Sequence, residues 1–334
     1  MQMVFPYFNM PTIKQINAVF KASVLVLALL VNEVSASPSD WLMKINRAAA
    51  EVNFSGIFVY THEGKLEVMQ VVRRVDDGVM QERLYALNGE AREIIRDMSR
   101  VWCYIPDQNV GVHDFRQISE SGFPRMVAGD FSKLSKNYTF TEGGYARIAD
   151  RRAHQVNVIP KDPYRYGYIL WADEETGLLL RSDLVDLAGN VIEQYMFVDV
   201  EIGIDIPDSA LKAVSNKDHL EWFGNANPPI SAPSTTSNWV VGQIPGGYQL
   251  SKHIRRMSPM EAGEVEHLVY TDGLSTISVF IKQAREGQSG MKGLLKMGAV
   301  NAYRDTIENY RVTVMGEVPA ETVEFVLQGI SYRQ

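Results

Sequence analysis

Residues 160–197 read PKDPYRYGYILWADEETGLLLRSDLVDLAGNVIEQYMF. Two turn signals divide this stretch into three apolar runs. Asp173-Glu174-Glu175-Thr176-Gly177 makes the first turn, because Gly177 tolerates positive φ and Asp173 can hydrogen-bond its own backbone. Leu178-Leu179-Leu180 opens the second run, and Ala188-Gly189-Asn190 turns into the third. The pattern predicts three antiparallel strands, with Tyr164, Tyr166, Tyr168 and Trp171 loading the first with aromatic surface. Ile169 and Trp171 share one parity, Tyr168 and Leu170 the other. A sheet with one wet face alternates more cleanly than this. The second face therefore needs a cover: a helix, a partner or an apolar ligand. The stretch points to binding rather than catalysis.

Upstream, residues 39–52 predict an amphipathic helix, with Leu42, Ile45, Ala49 and Val52 on one face. Strand-like segments follow at 55–61, 66–74, 80–87, 93–96 and 100–105. They are broken by His62-Glu63-Gly64, Asp76-Asp77-Gly78 and Asn88-Gly89, of which the last two are strong hairpin signals. Between 110 and 136 the periodicity fails, predicting loops and short helices. Downstream, Ile206-Pro207-Asp208-Ser209 starts a short helix. Residues 221–240 are rich in Pro, Ser and Asn and read as a linker. The remainder, 241–334, predicts an α+β unit. Strands are expected at 248–257, 264–271, 275–283 and 310–315, and a helix at 291–303. Pro319 opens a final helix with Val323, Val326, Leu327 and Ile330 on one face.

The first 36 residues read as a signal peptide: Lys14 and Lys21, an apolar run from Val24 to Val31, then Val34-Ser35-Ala36 as a cleavage site. Met10 is an alternative start. The run is too short to span a bilayer, and no later segment reads as membrane-spanning. A net charge of −7 argues against a nucleic-acid partner. Residues 241–334 carry equal numbers of acidic and basic side chains, so the negative charge belongs to the rest.

Enzyme templates fail. There is no G-x-S-x-G, H-E-x-x-H, C-x-x-C or P-loop, and the six histidines are scattered. No cofactor or metal is expected. Asp173-Glu174-Glu175 reads as a solvated turn, since its spacing is not that of a calcium loop. Cys103, the one cysteine, sits in the apolar run VWCYI and reads as an inert thiol; His113 is the nearest base in sequence. Arg73, Arg74, Arg83, Arg92, Arg96 and Arg100 alternate with acidic residues. This fits cross-strand pairing, or a basic strip meeting an acidic peptide or lipid headgroups.

The blocks FSGIFVYTHEG (54–64), QERLYALNGEAREIIRD (81–97), CYIPD (103–107), PKDPYRYGYILWADEETGLLLRSDL (160–184) and EQYMF (193–197) resemble the RseB/MucB family. The resemblance implies a LolA/LolB-like unclosed antiparallel β half-barrel at 37–220, and a smaller α+β domain after the linker. It also implies a periplasmic regulator that binds a RseA/MucA-like anti-sigma factor, shields it from site-1 proteolysis, and releases it on a lipid or lipopolysaccharide signal. A periplasmic lipid or lipoprotein carrier using the same cavity is the alternative. Expected cavity residues are Phe58, Tyr60, Tyr166, Tyr168, Trp171 and Leu180; expected partner-binding residues are Arg73, Arg74, Arg92 and Arg96. Homo-oligomerisation is left open.

Overall fold

A computed structural model describes residues 37–115, 131–213, 219–224, 237–257, 263–284 and 292–333. The predicted signal peptide lies outside them. The first helix, Pro38–Glu51, buries Trp41, Leu42, Ile45, Ala48 and Ala49, one face at helical spacing. Pro38 stands where its missing N–H costs nothing, and Asp40 sits in the first turn near the positive helix end. Arg73 reaches back to donate to the Ala49 carbonyl at the other end.

The chain then forms strands β1 (Phe54–His62), β2 (Lys65–Asp76), β3 (Val79–Ala86), β4 (Glu93–Arg96), β5 (Arg100–Ile105) and β6 (Val110–Phe115). A short helix at Phe131–Asn137 leads into β7 (Tyr138–Ile148), β8 (Arg151–Pro160), β9 (Gly167–Asp173), β10 (Leu179–Val185), β11 (Val191–Ile202) and β12 (Glu221–Gly224). All twelve strands join one sheet in the order β12-β6-β5-β4-β3-β2-β1-β11-β10-β9-β8-β7. β12 and β7 stand at its two ends, so the sheet is unclosed. One apolar cluster joins Trp41, Leu42 and Ile45 of the first helix to side chains of β1, β2, β3 and β7–β11. The sheet thus curls around its own helix, the half-barrel arrangement expected.

Pairing shows which face is which. Phe58 lies across from Met69 and Phe197, and all three belong to that cluster. On the reverse face Val72 packs with Ile206 and with Leu211, the last residue of a short 3-10 turn, Asp208–Leu211. The hairpin between β2 and β3 places both Asp77 and Gly78 at positive φ, as Asp-Gly signals require.

A second sheet has the order β14 (Gln249–Met257), β15 (Glu264–Thr271), β16 (Thr276–Gln283), β19 (Tyr310–Gly316), β18 (Val300–Ile307) and β17 (Gly293–Met297). Ile277, Val279, Ile281, Val312 and Val314 face the final helix, Ala320–Gln328, which contributes Val323, Val326 and Leu327 to the same core. β13 (Trp239–Val241) and β20 (Ile330–Tyr332) pair as a small separate sheet beside it.

Four expectations change. The helix expected at 291–303 is instead the β17–β18 hairpin, turned at Gly298 with φ +60. Leu, Lys and Met favour helices weakly, and pairing of β18 with β19 overrides that preference. Val110–Phe115, expected as loop, is β6, because it pairs with the apolar β5; residues 116–130 lie outside the described residues. The expected linker at 221–240 starts with β12 and ends in β13, while 225–236 lie outside the described residues. Tyr164 and Tyr166 precede β9 rather than load it.

Candidate functional site

The helix-facing side of the large sheet holds the expected cavity residues unequally. Phe58 and Leu180 are fully buried beneath the first helix, and Tyr168 lies in the same cluster with Leu170. Trp171, one residue on, faces the other way, opposite Gln155 and Arg181. Tyr166 belongs to the same cluster, and its hydroxyl accepts a hydrogen bond from Asn301 Nδ2 at 3.1 Å, on the second sheet. Tyr60 is only partly buried and closes a polar chain. Its hydroxyl donates to Glu193 Oε2 at 2.6 Å, its ring stacks on His62, and His62 Nε2 stands 3.3 Å from Glu67 Oε1. Burial and the Glu193 carboxylate push the Tyr60 hydroxyl well above the ordinary tyrosine range. Burial works against the Glu67 carboxylate, but the His62 hydrogen bond and the Arg92 charge hold it below the usual range.

The four arginines divide between faces. Arg73 and Arg96 flank the buried Glu82, with Arg96 Nε at 2.5 Å and Arg73 Nη1 at 3.9 Å. Arg92 Nη2 donates to Glu67 Oε2 at 2.6 Å, on the same face. Arg74 lies on the reverse face, donating to Ile206 O at 3.0 Å and pairing with Asp208 at 2.7 Å. Cys103 faces the helix side, and burial raises its thiol pKa. It pairs across with Val112, so strand alternation sends His113 to the opposite face, beside Trp222. The two residues of the weak nucleophile–base pair therefore point away from each other. Asp173, read above as solvated, is buried: Arg151 Nε at 2.7 Å, Thr176 N and Thr176 Oγ1 all donate to its carboxylate. Burial opposes ionisation there, but these donors win and hold the carboxyl below its usual range.

The structure also assembles a seam between the two sheets that the residue pattern did not reveal. Arg165 is fully buried. Its guanidinium reaches Asp272 Oδ2 at 2.7 Å, Gly246 O at 2.6 Å and Asp162 Oδ1 at 3.0 Å, and lies over the rings of Tyr138 and Tyr248. Tyr138 donates its hydroxyl to Asp272 at 2.9 Å. Thr322 donates to Tyr164 O at 3.0 Å, and the Tyr164 and Phe325 rings lie 5.0 Å apart. Gly298 N donates to Glu63 Oε1 and Ala299 N to Glu193 Oε1, each at 2.7 Å. Leu274 and Ala299 enter the large-sheet core. A signal was present in the sequence: a lone arginine inside an aromatic run, PYRYGY, is costly to bury without a fixed partner.

At the far end of the second sheet from this seam lies a polar cavity of about 400 Å³. Trp239, Tyr310, Tyr332 and Glu266 are among its lining residues, and Glu266 lies 2.7 Å from His253 Nε2 and 3.3 Å from Arg255 Nη2. Among the described residues no group of acidic, His and Cys side chains has the geometry of a metal site. No helix of the described residues is long and apolar enough to cross a membrane.

Comparison with known proteins places this architecture. A curated relative, the sigma-E factor regulatory protein RseB of Haemophilus influenzae, is 27% identical over 94% of this chain and 98% of its own. The sigma factor AlgU regulatory protein MucB of Pseudomonas aeruginosa is 30% identical over 89% of this chain and 91% of its own. The solved Pseudomonas aeruginosa MucA/MucB complex matches with a TM-score of 0.70 at 28% identity, covering 89% of this chain and 99% of that one. A structure of MucB in complex with MucA(peri) matches at 0.68 with the same identity and coverage. The family model for the MucB/RseB N-terminal domain covers residues 37–215, across the helix-filled sheet. The model for the MucB/RseB C-terminal domain covers 233–331, across the second sheet. With both sheets accounted for in that order, the chain belongs to the MucB/RseB family.

Proposed function

We propose that this protein is a periplasmic regulator of an envelope-stress sigma factor. It binds the periplasmic domain of a membrane-anchored MucA-like anti-sigma factor, keeps the site-1 protease from it, and so holds the sigma factor inactive. The observation that carries this reading is the likeness, along nearly the whole chain, to MucB as solved with MucA(peri). The fold agrees with it. Two packed sheets offer binding surface, and the nucleophile–base pair that suggested a hydrolase is split across a sheet.

Release by a lipid or lipopolysaccharide is the regulatory half of the proposal. Its place is the part of the helix-facing side beyond the first helix, where Tyr60, Arg92 and Met69 lie near one another with polar groups at the rim. Phe58, Tyr168 and Leu180 form the packed floor beside it, and Arg92 is the expected arginine best placed to meet a headgroup. Export by the first 36 residues belongs to the same reading.

The test uses the purified protein and the periplasmic domain of its own MucA-like partner. Titration calorimetry is expected to give saturable binding, and preincubation to slow cleavage of the partner by the site-1 protease. Cleavage at an unchanged rate with saturating protein would refute the protective role.

A further inference from the structure

β12 differs from every other strand of the large sheet. It pairs in parallel with β6, whereas every other ladder among the described residues is antiparallel. Glu221, Trp222, Phe223 and Gly224 lie beside Val110, Gly111, Val112 and His113, and Glu221 N donates to Asn109 O at 2.7 Å. The chain thus lays four residues from the stretch between its two sheets along an edge that would otherwise present unpaired backbone groups. Trp222 anchors them. Its ring lies flat over Gly111, where even a Cβ would come within 2.8 Å of it. It also meets Tyr104 edge-on at 5.6 Å and stands 5.8 Å from His113.

The anchoring is incomplete. Trp222 is 37% exposed and Phe223 45%. Only four residues pair, in the orientation that is slightly weaker per residue. An antiparallel peptide can use the same edge and extend along all of β6, which runs two residues beyond β12's register. We propose that the β6 edge is a strand-docking site and that Glu221–Gly224 is a place-holder on it. The displacing occupant is an extended segment of the anti-sigma periplasmic domain, carrying a flat apolar side chain to lie over Gly111. The chain's own segment supplies the argument for that occupant: it shows that this edge accepts an extended backbone with an aromatic ring at this position. Backbone pairing gives affinity in such strand addition, and the side-chain seat gives selectivity. The proposal rests on the regulatory reading above.

Locking the place-holder tests it. Val112→Cys with Phe223→Cys joins two directly paired positions, and Cys103→Ala removes the thiol that also pairs with position 112. Oxidised, this variant is expected to bind the partner's periplasmic domain at least tenfold more weakly than after dithiothreitol. Trp222→Gly loosens the place-holder without any disulfide and is expected to bind at least threefold more tightly than wild type. Oxidised and reduced forms within twofold of each other overturn the proposal; should the bond not form, Trp222→Gly within twofold of wild type does so. Absence of binding by the wild-type protein removes the regulatory reading and the proposal together. Equal binding by locked and unlocked forms removes only the strand exchange.

Discussion

Substitution of Asp272 by Ala is the sharpest probe of the seam. Its Oδ2 accepts from Arg165 at 2.7 Å and from Tyr138 at 2.9 Å, while Oδ1 accepts from the backbone N–H of Leu274 at 2.9 Å and of Ser275 at 2.7 Å. Neither side chain of the Arg165–Asp272 pair has any exposed surface. Removing the carboxylate leaves a buried guanidinium with Gly246 O and the partly exposed Asp162 as remaining partners, and leaves three further donors unmet. Breaking a buried pair from one side costs about 3–5 kcal/mol, mostly as the uncompensated charge. Urea unfolding followed by tryptophan fluorescence should lose about that much. Replacing both partners, Arg165→Met with Asp272→Leu, removes charge and counter-charge together and should cost less than Asp272→Ala alone. The exposed Arg147–Asp150 pair is the control: Arg147→Ala should change stability by less than about 1 kcal/mol. An Asp272→Ala loss below about 1 kcal/mol, or a double variant less stable than the single one, would refute the reasoning.

Three other outcomes are expected. His154 is buried against Trp41, its ring stacked at 4.3 Å, and neither ring nitrogen has a hydrogen-bond partner. Burial lowers its pKa despite Glu142 and Glu174 nearby, so the unfolded chain binds its proton first. The associated stability is present above about pH 6.5 and drains away as pH falls from there towards the depressed folded value. His154→Leu should flatten Tm between pH 7.5 and 5.5, and an unchanged slope counts against the assignment. Gly298 has φ +60, and a Cβ there would meet Glu193 Oε1 at 2.5 Å. Gly298→Ala should therefore cost about 1–3 kcal/mol and deprotect the Ala299 amide in hydrogen exchange; wild-type protection would show that the turn docks otherwise. Tyr60→Phe leaves one oxygen of Glu193 without its donor and should cost about 1 kcal/mol by urea titration, with no change counting against that hydrogen bond.

Strand alternation and turn chemistry made most of the large sheet legible. Asp77-Gly78 marked a hairpin because both residues sit at positive φ, and the double-faced apolarity of Tyr168 and Trp171 announced a covered sheet. The cover proved to be the chain's own helix, through Trp41, Leu42 and Ile45. What escaped notice depends on contacts distant in sequence. β12 is four residues whose one strand partner among the described residues lies more than a hundred positions away, so no local period marks it. The β17–β18 hairpin carries helix-favouring residues and is a strand pair only because β19 offers an edge. Arg165 stands in the aromatic run PYRYGY, and nothing local to that run names its partner. Its importance comes from Asp272, in the turn between β15 and β16.

The arginine-rich stretch from 73 to 100 has a consequence for how a partner is recognised. An acidic peptide can recruit a guanidinium only by replacing the carboxylate already on it. Arg96 pairs with Glu82, which is buried, so exchange there abandons a carboxylate without water. Arg92 pairs with Glu67, and these side chains keep 39% and 31% of their surface exposed. A pair of that kind is worth about 0–1 kcal/mol, so the trade at Arg92 is nearly neutral. Arg92→Ala should then leave stability within about 1 kcal/mol of wild type. Arg96→Ala should lose about 3 kcal/mol, because Glu82 keeps only the more distant Arg73. Urea midpoints of the two variants measure the difference directly. Equal losses would mean that Glu82 is hydrated and that the inner arginines are as open to a partner as Arg92. The expected inequality leaves Arg92 as the arginine available for charge recognition on this face, and makes backbone pairing along a sheet edge the lower-cost route to affinity.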